Sequence, residues 1–356
     1  LNREELNKFL VFPYENHIEN ILKSLEDKMY GRVEDILTLN GWWVKTKPEI
    51  HVGNKEIKIK KNIDEISKEC NSLWVVESYF SLDFISEIVP ILIYAKEKRW
   101  TVYYGRRTSD SEEKIIREII DKNKLHMNEK LNGKNWEENR IYDIKSPVIW
   151  IVDMFPQMPM NSLALELWKA FEQQGYKTEL ISKRKDVSLV SKAISFPDIK
   201  NENKIEIIKE YNNFFEKIEK NNKKEIIIVE IPGNLLEISK KIYGDFGMTA
   251  YFMMRIMPPD FVICNIPYME YIIENLEVLS ETVKNTINIP IDIYNMNPVY
   301  FDLLASEQME NFEYVLLSDK YIDQIVGKSN IYNICTKERI NKIIEKIITQ
   351  LKGYII

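Results

Sequence analysis

Four short, nearly continuous apolar runs leave no polar face for solvent: Trp74-Val75-Val76, Trp100-Thr101-Val102-Tyr103-Tyr104, Val148-Ile149-Trp150-Ile151-Val152 and Ile226-Ile227-Ile228-Val229. A strand of this kind is buried on both sides, as parallel strands are when helices cover the sheet. Each run closes in polar or turn-forming residues: Glu77-Ser78, Gly105-Arg106-Arg107, Asp153, and Glu230 with Ile231-Pro232-Gly233-Asn234. Ligands of open parallel sheets bind outside the carboxyl ends of the strands. The closing residues are therefore where function is expected.

Helical patterns separate the runs. Ile18, Ile21, Leu22 and Leu25 recur at three- and four-residue spacing, as do Leu163, Leu167, Trp168 and Phe171, and Ile340, Ile343, Ile344 and Ile347. Strands alternating with helices imply right-handed crossovers, and 356 residues exceed what one small core organises. The expected fold is α/β: two Rossmann-like domains with mostly parallel, doubly wound sheets. Residues 123–146 are polar, carry Asn132 and Gly133 and lack periodicity, which puts the division at 1–145 and 146–356.

Local signals add detail. Alternating apolar residues from Glu49 to Lys60 around Gly53-Asn54 predict a surface hairpin, and Asn62 with Glu65 predicts a capped helix from Ile63 to Cys70. Pro90 kinks or delays the helix within Phe84 to Ala95. Ser109 and Glu112 form a capping box. Further strands are expected at Phe261–Ile266, Ile289–Tyr294 and Tyr314–Leu317.

The net charge is −6, and lysines alternate with glutamates along 200–224, which argues against a nucleic-acid binder. No apolar stretch approaches the roughly 20 residues of a bilayer crossing. Leu1 to Lys8 is charged and lacks a signal-peptide core, so a cytoplasmic location is expected. Cys70, Cys264 and Cys335 lie far apart, and His17, His51 and His126 have no ligand spacing, so no metal or cofactor is expected.

The loop at 154–160 stands where a phosphate loop would stand, yet Met154, Met158, Met160, Pro156 and Pro159 replace the glycines, and Asn161-Ser162 replaces the lysine and hydroxyl pair. It reads as domain packing or as an adaptable apolar contact. Asp245-Phe246-Gly247 reads as a turn. Ligand-binding candidates are Glu77, Ser78, Arg106 and Arg107 in the first domain, and Asp153, Asn161, Arg184, Pro232, Gly233, Asn234, Asn265, Ser318 and Asp319 in the second. Each taken singly is also a good cap or turn residue.

Leu10 to Tyr14, Gly41-Trp42, Val76-Glu77-Ser78, Arg184 with Ser195-Phe196-Pro197, Ile231-Pro232-Gly233, Phe246-Gly247 to Ala250-Tyr251, Pro259-Asp260 and Ser318-Asp319 together resemble a clostridial family of peptide maturation system proteins. The resemblance implies an accessory protein encoded beside a radical-SAM maturase and a short bacteriocin-type precursor peptide. It would bind precursor, maturase or a small ligand in a cleft between the domains. The chain has no C-x-x-x-C-x-x-C and is not the cluster-bearing maturase itself. The competing expectation is an enzyme acting on a nucleotide-like or carboxylated substrate, with Arg106 or Arg184 holding the anion and Glu230 as general base. A third is a structural partner that self-associates into a homo-oligomer.

Overall fold

The computed structural model describes residues 6–25, 27–39, 49–53, 55–78, 82–127, 141–156, 158, 162–198, 203–222, 225–237, 239, 241–326, 331–333 and 337–352. They form two compact units, one of Leu1–Glu129 with Arg184–Ser195 and one of Lys130–Lys183 with Phe196–Ile356. The division thus falls before the expected 145/146, and the chain returns to the first unit once more at Arg184.

In the first unit β1 (Asn7–Phe12) leads through α1 (Asn16–Leu25) to β2 (Gly31–Leu37), followed by β3 (Glu49–Val52), β4 (Lys55–Lys60), β5 (Ser72–Val75), β6 (Thr101–Tyr104) and β7 (Leu125–Met127). They lie in the order β3-β4-β2-β1-β5-β6-β7. Only β3 and β4 pair antiparallel; every other neighbour is parallel. Leaving β3 aside, the six parallel strands stand in sequence order 3-2-1-4-5-6, that of a Rossmann sheet. Crossovers run outward in both directions from β1, so a crevice is expected at the carboxyl ends of β1 and β5.

The expected hairpin is the rim of this sheet rather than a surface appendage, because Ile50 and Ile57 face each other across it and both are buried. The helix expected from Ile63 is a single 3-10 turn, Ile63–Glu65. Asn62 bonds Glu65 side chain to side chain at 2.9 Å without capping the backbone, and the Ser67 N–H donates to the Asp35 carboxylate, drawing the chain away from a helical path. Pro90 sits in the first turn of α2 (Val89–Glu97), behind a π-helical turn at Phe84–Ile88 that Asp83 caps through the Ser86 N–H at 2.7 Å. The Ser109/Glu112 capping box opens α3 (Asp110–Ile119). Part of the expected linker is β7, which closes the sheet beyond β6.

The second unit is built on β8 (Val148–Asp153), buried along its whole length. It is followed by α4 (Leu163–Gln173) and β9 (Thr178–Ser182), and the chain then gives α5 (Lys185–Val190) and β10 (Ile194–Ser195) to the first unit. After it come α6 (Lys204–Asn222), β11 (Ile226–Glu230), α7 (Met248–Ile256), β12 (Phe261–Tyr268), α8 (Glu270–Glu274), α9 (Leu276–Ile287) and β13 (Ile293–Phe301). The chain closes with α10 (Leu303–Met309), β14 (Tyr314–Leu316), α11 (Asp319–Ile325), β15 (Ile331–Tyr332) and α12 (Lys337–Lys352). The strands of this unit run in the order β9-β11-β8-β12-β13-β14, with β15 also on β13. All pairings among β9, β11, β8, β12 and β13 are parallel and β14 runs antiparallel to β13, so the sheet is mostly parallel, as expected. A strand at Ile289–Tyr294 is instead displaced to Ile293–Phe301 and carries Asn295 and Asn297 inside it.

Candidate functional site

At the crevice of the first unit, the turn after β1 brings Glu15 and His17 beside the residues that close β5. The Ser78 hydroxyl donates to one Glu15 oxygen, and the other lies 3.2 Å from His17 Nδ1. The crevice also receives the start of α5. Arg184 and Asp186, 3% and 1% exposed, form a bidentate pair with Nη2–Oδ2 at 2.6 Å and Nε–Oδ1 at 3.2 Å. Trp74 Nε1 donates to the Asp186 carbonyl at 3.0 Å, and the Glu77 N–H points to the Asp186 carboxylate at 3.4 Å. Gly105 makes this seat possible, since a Cβ there would stand 2.2 Å from Asp186 Cα.

The other expected residues of this rim are brought close but serve the backbone. The Glu77 carboxylate accepts the Arg107 N–H at 2.9 Å, and Arg106 Nη2 donates to the Leu82 carbonyl at 3.1 Å. Arg184, expected on the second domain as an anion holder, belongs to the first unit and spends its fork on Asp186. Burial, reinforced by Asp186, raises the Glu77 carboxyl above its ordinary value against the Arg107 N–H. Burial also holds the His17 imidazole below its ordinary value, against the pull of Glu15.

On the second unit the strand ends form a buried polar row. Lys183 pairs with one Asp153 oxygen, and Asn265 Nδ2 donates to the other at 2.9 Å. Asn295 Nδ2 reaches Asn265 Oδ1 at 2.8 Å and Asn297 Oδ1 at 3.1 Å. Strand register explains the row, because Asn265 lies opposite both Asp153 and Asn295. One strand over, Ser182 donates to the buried Glu230 carboxylate.

The turn after β11 folds over this rim. Gly233 has φ +93°, and a Cβ there would come within 2.5 Å of the Asp245 carboxylate. Pro232 is the half-buried residue before it. Asn234 accepts the Asp245 N–H at 2.8 Å and donates to the Leu236 carbonyl at 2.7 Å, while Asp245 accepts the Thr249 N–H in the first turn of α7 at 3.0 Å. The Leu235 and Leu236 N–H groups bond the carbonyls of Asp153 and Met154 at 3.0 and 3.2 Å. Asn234 and Gly233 thus hold the turn. Ser318 caps α11 through the Tyr321 N–H at 3.3 Å, with Asp319 as that helix's first residue. Asn161, Gly41-Trp42 and Cys335 lie outside the described residues.

Sequence reading missed Glu15, His17 and Asp186 on one rim and Ser182, Lys183, Asn295 and Asn297 on the other. The strand-end rule reaches Ser182-Lys183 after Leu180-Ile181, and Glu15 after the Phe9–Phe12 run. Asn295 and Asn297 repeat at strand period. Asp186 carries no local signal.

Among the described residues no group of three or more His, Cys, Asp or Glu side chains could hold a metal ion, and no helix is long and apolar enough to cross a membrane. Cys70 and Cys264 are buried, which raises both thiols, Cys70 to about 12. No family model and no curated protein matches the chain. Among solved structures it is similar to a DUF1611 family protein from Anabaena variabilis, with a TM-score of 0.60 at 8% identity over 96% of this chain and 99% of that one. At that identity the likeness is one of fold, a mixed α/β, Rossmann-like architecture shared over nearly the full length of both chains.

Proposed function

We propose that the chain is an accessory protein of ribosomally synthesised peptide maturation that binds a polypeptide, the precursor or its maturase, and does not turn over a nucleotide. The observation that carries this reading is the plugged crevice of the first unit. A Rossmann sheet receives pyrophosphate on a glycine-rich turn after its first strand, whereas here that turn reads Pro13-Tyr14-Glu15-Asn16 and the Arg184–Asp186 pair lies at the carboxyl end of β5. The Arg184 guanidinium is already neutralised by the buried Asp186 carboxylate, so the pair offers a phosphate no net positive charge. The pathway itself rests on the resemblance. Its test is titration of the full chain with the neighbouring precursor and maturase in a thermal-shift format, where a partner at 100 times its Kd stabilises by about 2.7 kcal/mol. Absence of binding to both at micromolar concentration overturns the reading.

A second reading, an enzyme for a small polar or carboxylated substrate, is favoured by Asn295. Among the described residues its Oδ1 accepts no hydrogen bond although the residue is 1% exposed, and a buried acceptor of that kind is a place for a donor group of a ligand. Stabilisation by a small carboxylic acid, a nucleotide or S-adenosylmethionine, lost in Asn295→Leu, would decide for it.

A further inference from the structure

The hydrogen bonds of β14 reveal which of its backbone groups are already used. The Asp302 N–H donates to the Glu313 carbonyl at 3.0 Å and the Leu317 N–H to the Pro298 carbonyl at 2.8 Å, with Tyr314 opposite Phe301 and Leu316 opposite Val299. Antiparallel alternation then makes Glu313, Val315 and Leu317 the residues bonded inward to β13. Tyr314 and Leu316 turn their N–H and C=O groups outward. No described strand pairs with that outer edge. Val315 and Leu316 are 51% and 53% exposed, and the flanking helices add the exposed Leu304 and Met309 of α10 and Tyr321 of α11. The strand contains neither proline nor lysine, the usual devices that keep an apolar edge from pairing.

We infer that this edge pairs with the same edge of a second copy of the chain, antiparallel about a two-fold axis at Val315. In this register Tyr314 of each copy faces Leu316 of the other. Both are outward-bonding residues, so the two pairs are of the hydrogen-bonded kind and supply four N–H···O bonds. A slip by one residue would set an outward residue against an inward one.

Charge selects the same arrangement. Glu310 stands five residues before Val315 and Lys320 five residues after it. Both are exposed and neither makes an ion pair among the described residues. The two-fold brings the Glu310 end of one strand against the Lys320 end of the other, twice. A parallel register would instead bring like charges together. Three paired residues fall short of the roughly 800 Å² per partner of a stable interface, and the exposed apolar residues of α10 and α11 at the strand's two ends supply the remainder.

The test is sedimentation velocity of the full chain from low to high micromolar concentration, with three variants. Leu316→Pro deletes an outward N–H and leaves the bonds to β13 in place; it is expected to weaken the dimer about tenfold or more, since two symmetric bonds are lost. Glu310→Lys and Lys320→Glu, both at exposed positions, are each expected to weaken it, and the double reversal to restore it. Circular dichroism of each variant checks folding. A chain that stays monomeric throughout, including one that instead captures an extended peptide at this edge, overturns the inference. So does a dimer indifferent to Leu316→Pro and to the charge reversals.

Discussion

Arg184 and Asp186 are both out of water, and the worth of such a pair lies in its completeness. Removing one partner strands the other charge in a low-dielectric site, whereas replacing both with apolar groups avoids that cost. Asp186→Ala is expected to lower stability by about 3–5 kcal/mol, read from urea unfolding with an unchanged m-value. Arg184→Met combined with Asp186→Leu is expected to cost less than Asp186→Ala alone; strict additivity of the two single changes would contradict the pairing. His17 sets a pH dependence of its own. Burial lowers its folded pKa, so the unfolded chain binds more protons once pH falls below about 6.5. Its contribution to stability is therefore complete above that value and is lost as pH drops toward the folded value. Glu77 and Asp35, raised by burial, slope the opposite way. The isolating measurement is the difference between the wild type and His17→Gln, which is expected to shrink between about pH 7 and about pH 5.

Strands report themselves in a sequence because burial on both faces needs an unbroken apolar run, and the runs at Leu73–Val76, Trp100–Tyr104, Val148–Val152 and Ile226–Val229 all became strands. What followed them was legible too, since Glu77, Asp153 and Glu230 do lie at strand ends. Their partners were not legible. Trp74 meets Asp186 across 112 residues of chain, and no local pattern encodes a crossover of that span. The part of β13 beyond Tyr294 was hidden for a different reason. Asn295 and Asn297 lower strand propensity and are tolerated where the Asn295 Nδ2 donates to the Asn265 and Asn297 side-chain oxygens. That row makes a testable element. Asn265→Asp replaces the donor to Asp153 with a second buried carboxyl, whose folded pKa is raised by its neighbour and by burial. Stability gained by holding that proton is present at low pH and lost as pH rises through the raised value. The variant is expected to lie near the wild type at about pH 5 and well below it at about pH 8, measured by thermal melting; equal loss at both would show that the two carboxyl groups do not meet.

The path of the chain makes the first unit depend on residues far outside its own stretch. Leu1–Glu129 supplies the whole Rossmann-ordered sheet, yet the crevice between β1 and β5 is closed by Arg184–Ser195, which arrives after β8 and β9 have been laid down in the other unit. The contacts that carry that closure include the Trp74 indole on the Asp186 carbonyl, the Glu77 N–H on the Asp186 carboxylate, the end of β6 seated on α5 at Gly105, and the Tyr30 N–H on the Val190 carbonyl. Trp74 is fully buried, and without the segment its N–H loses its acceptor, a cost of about 1–3 kcal/mol for a group left unsatisfied. A fragment ending at Glu129 is therefore expected to show red-shifted tryptophan emission and a non-cooperative urea transition. Adding a synthetic Arg184–Ser195 peptide in trans should shift the emission back to the blue in a saturable way, and the same peptide carrying Asp186→Ala should do so much more weakly. A fragment that unfolds cooperatively and keeps a buried-indole spectrum with no peptide present would show that the sheet closes its own crevice, and that the returning segment is an ornament on a fold already complete.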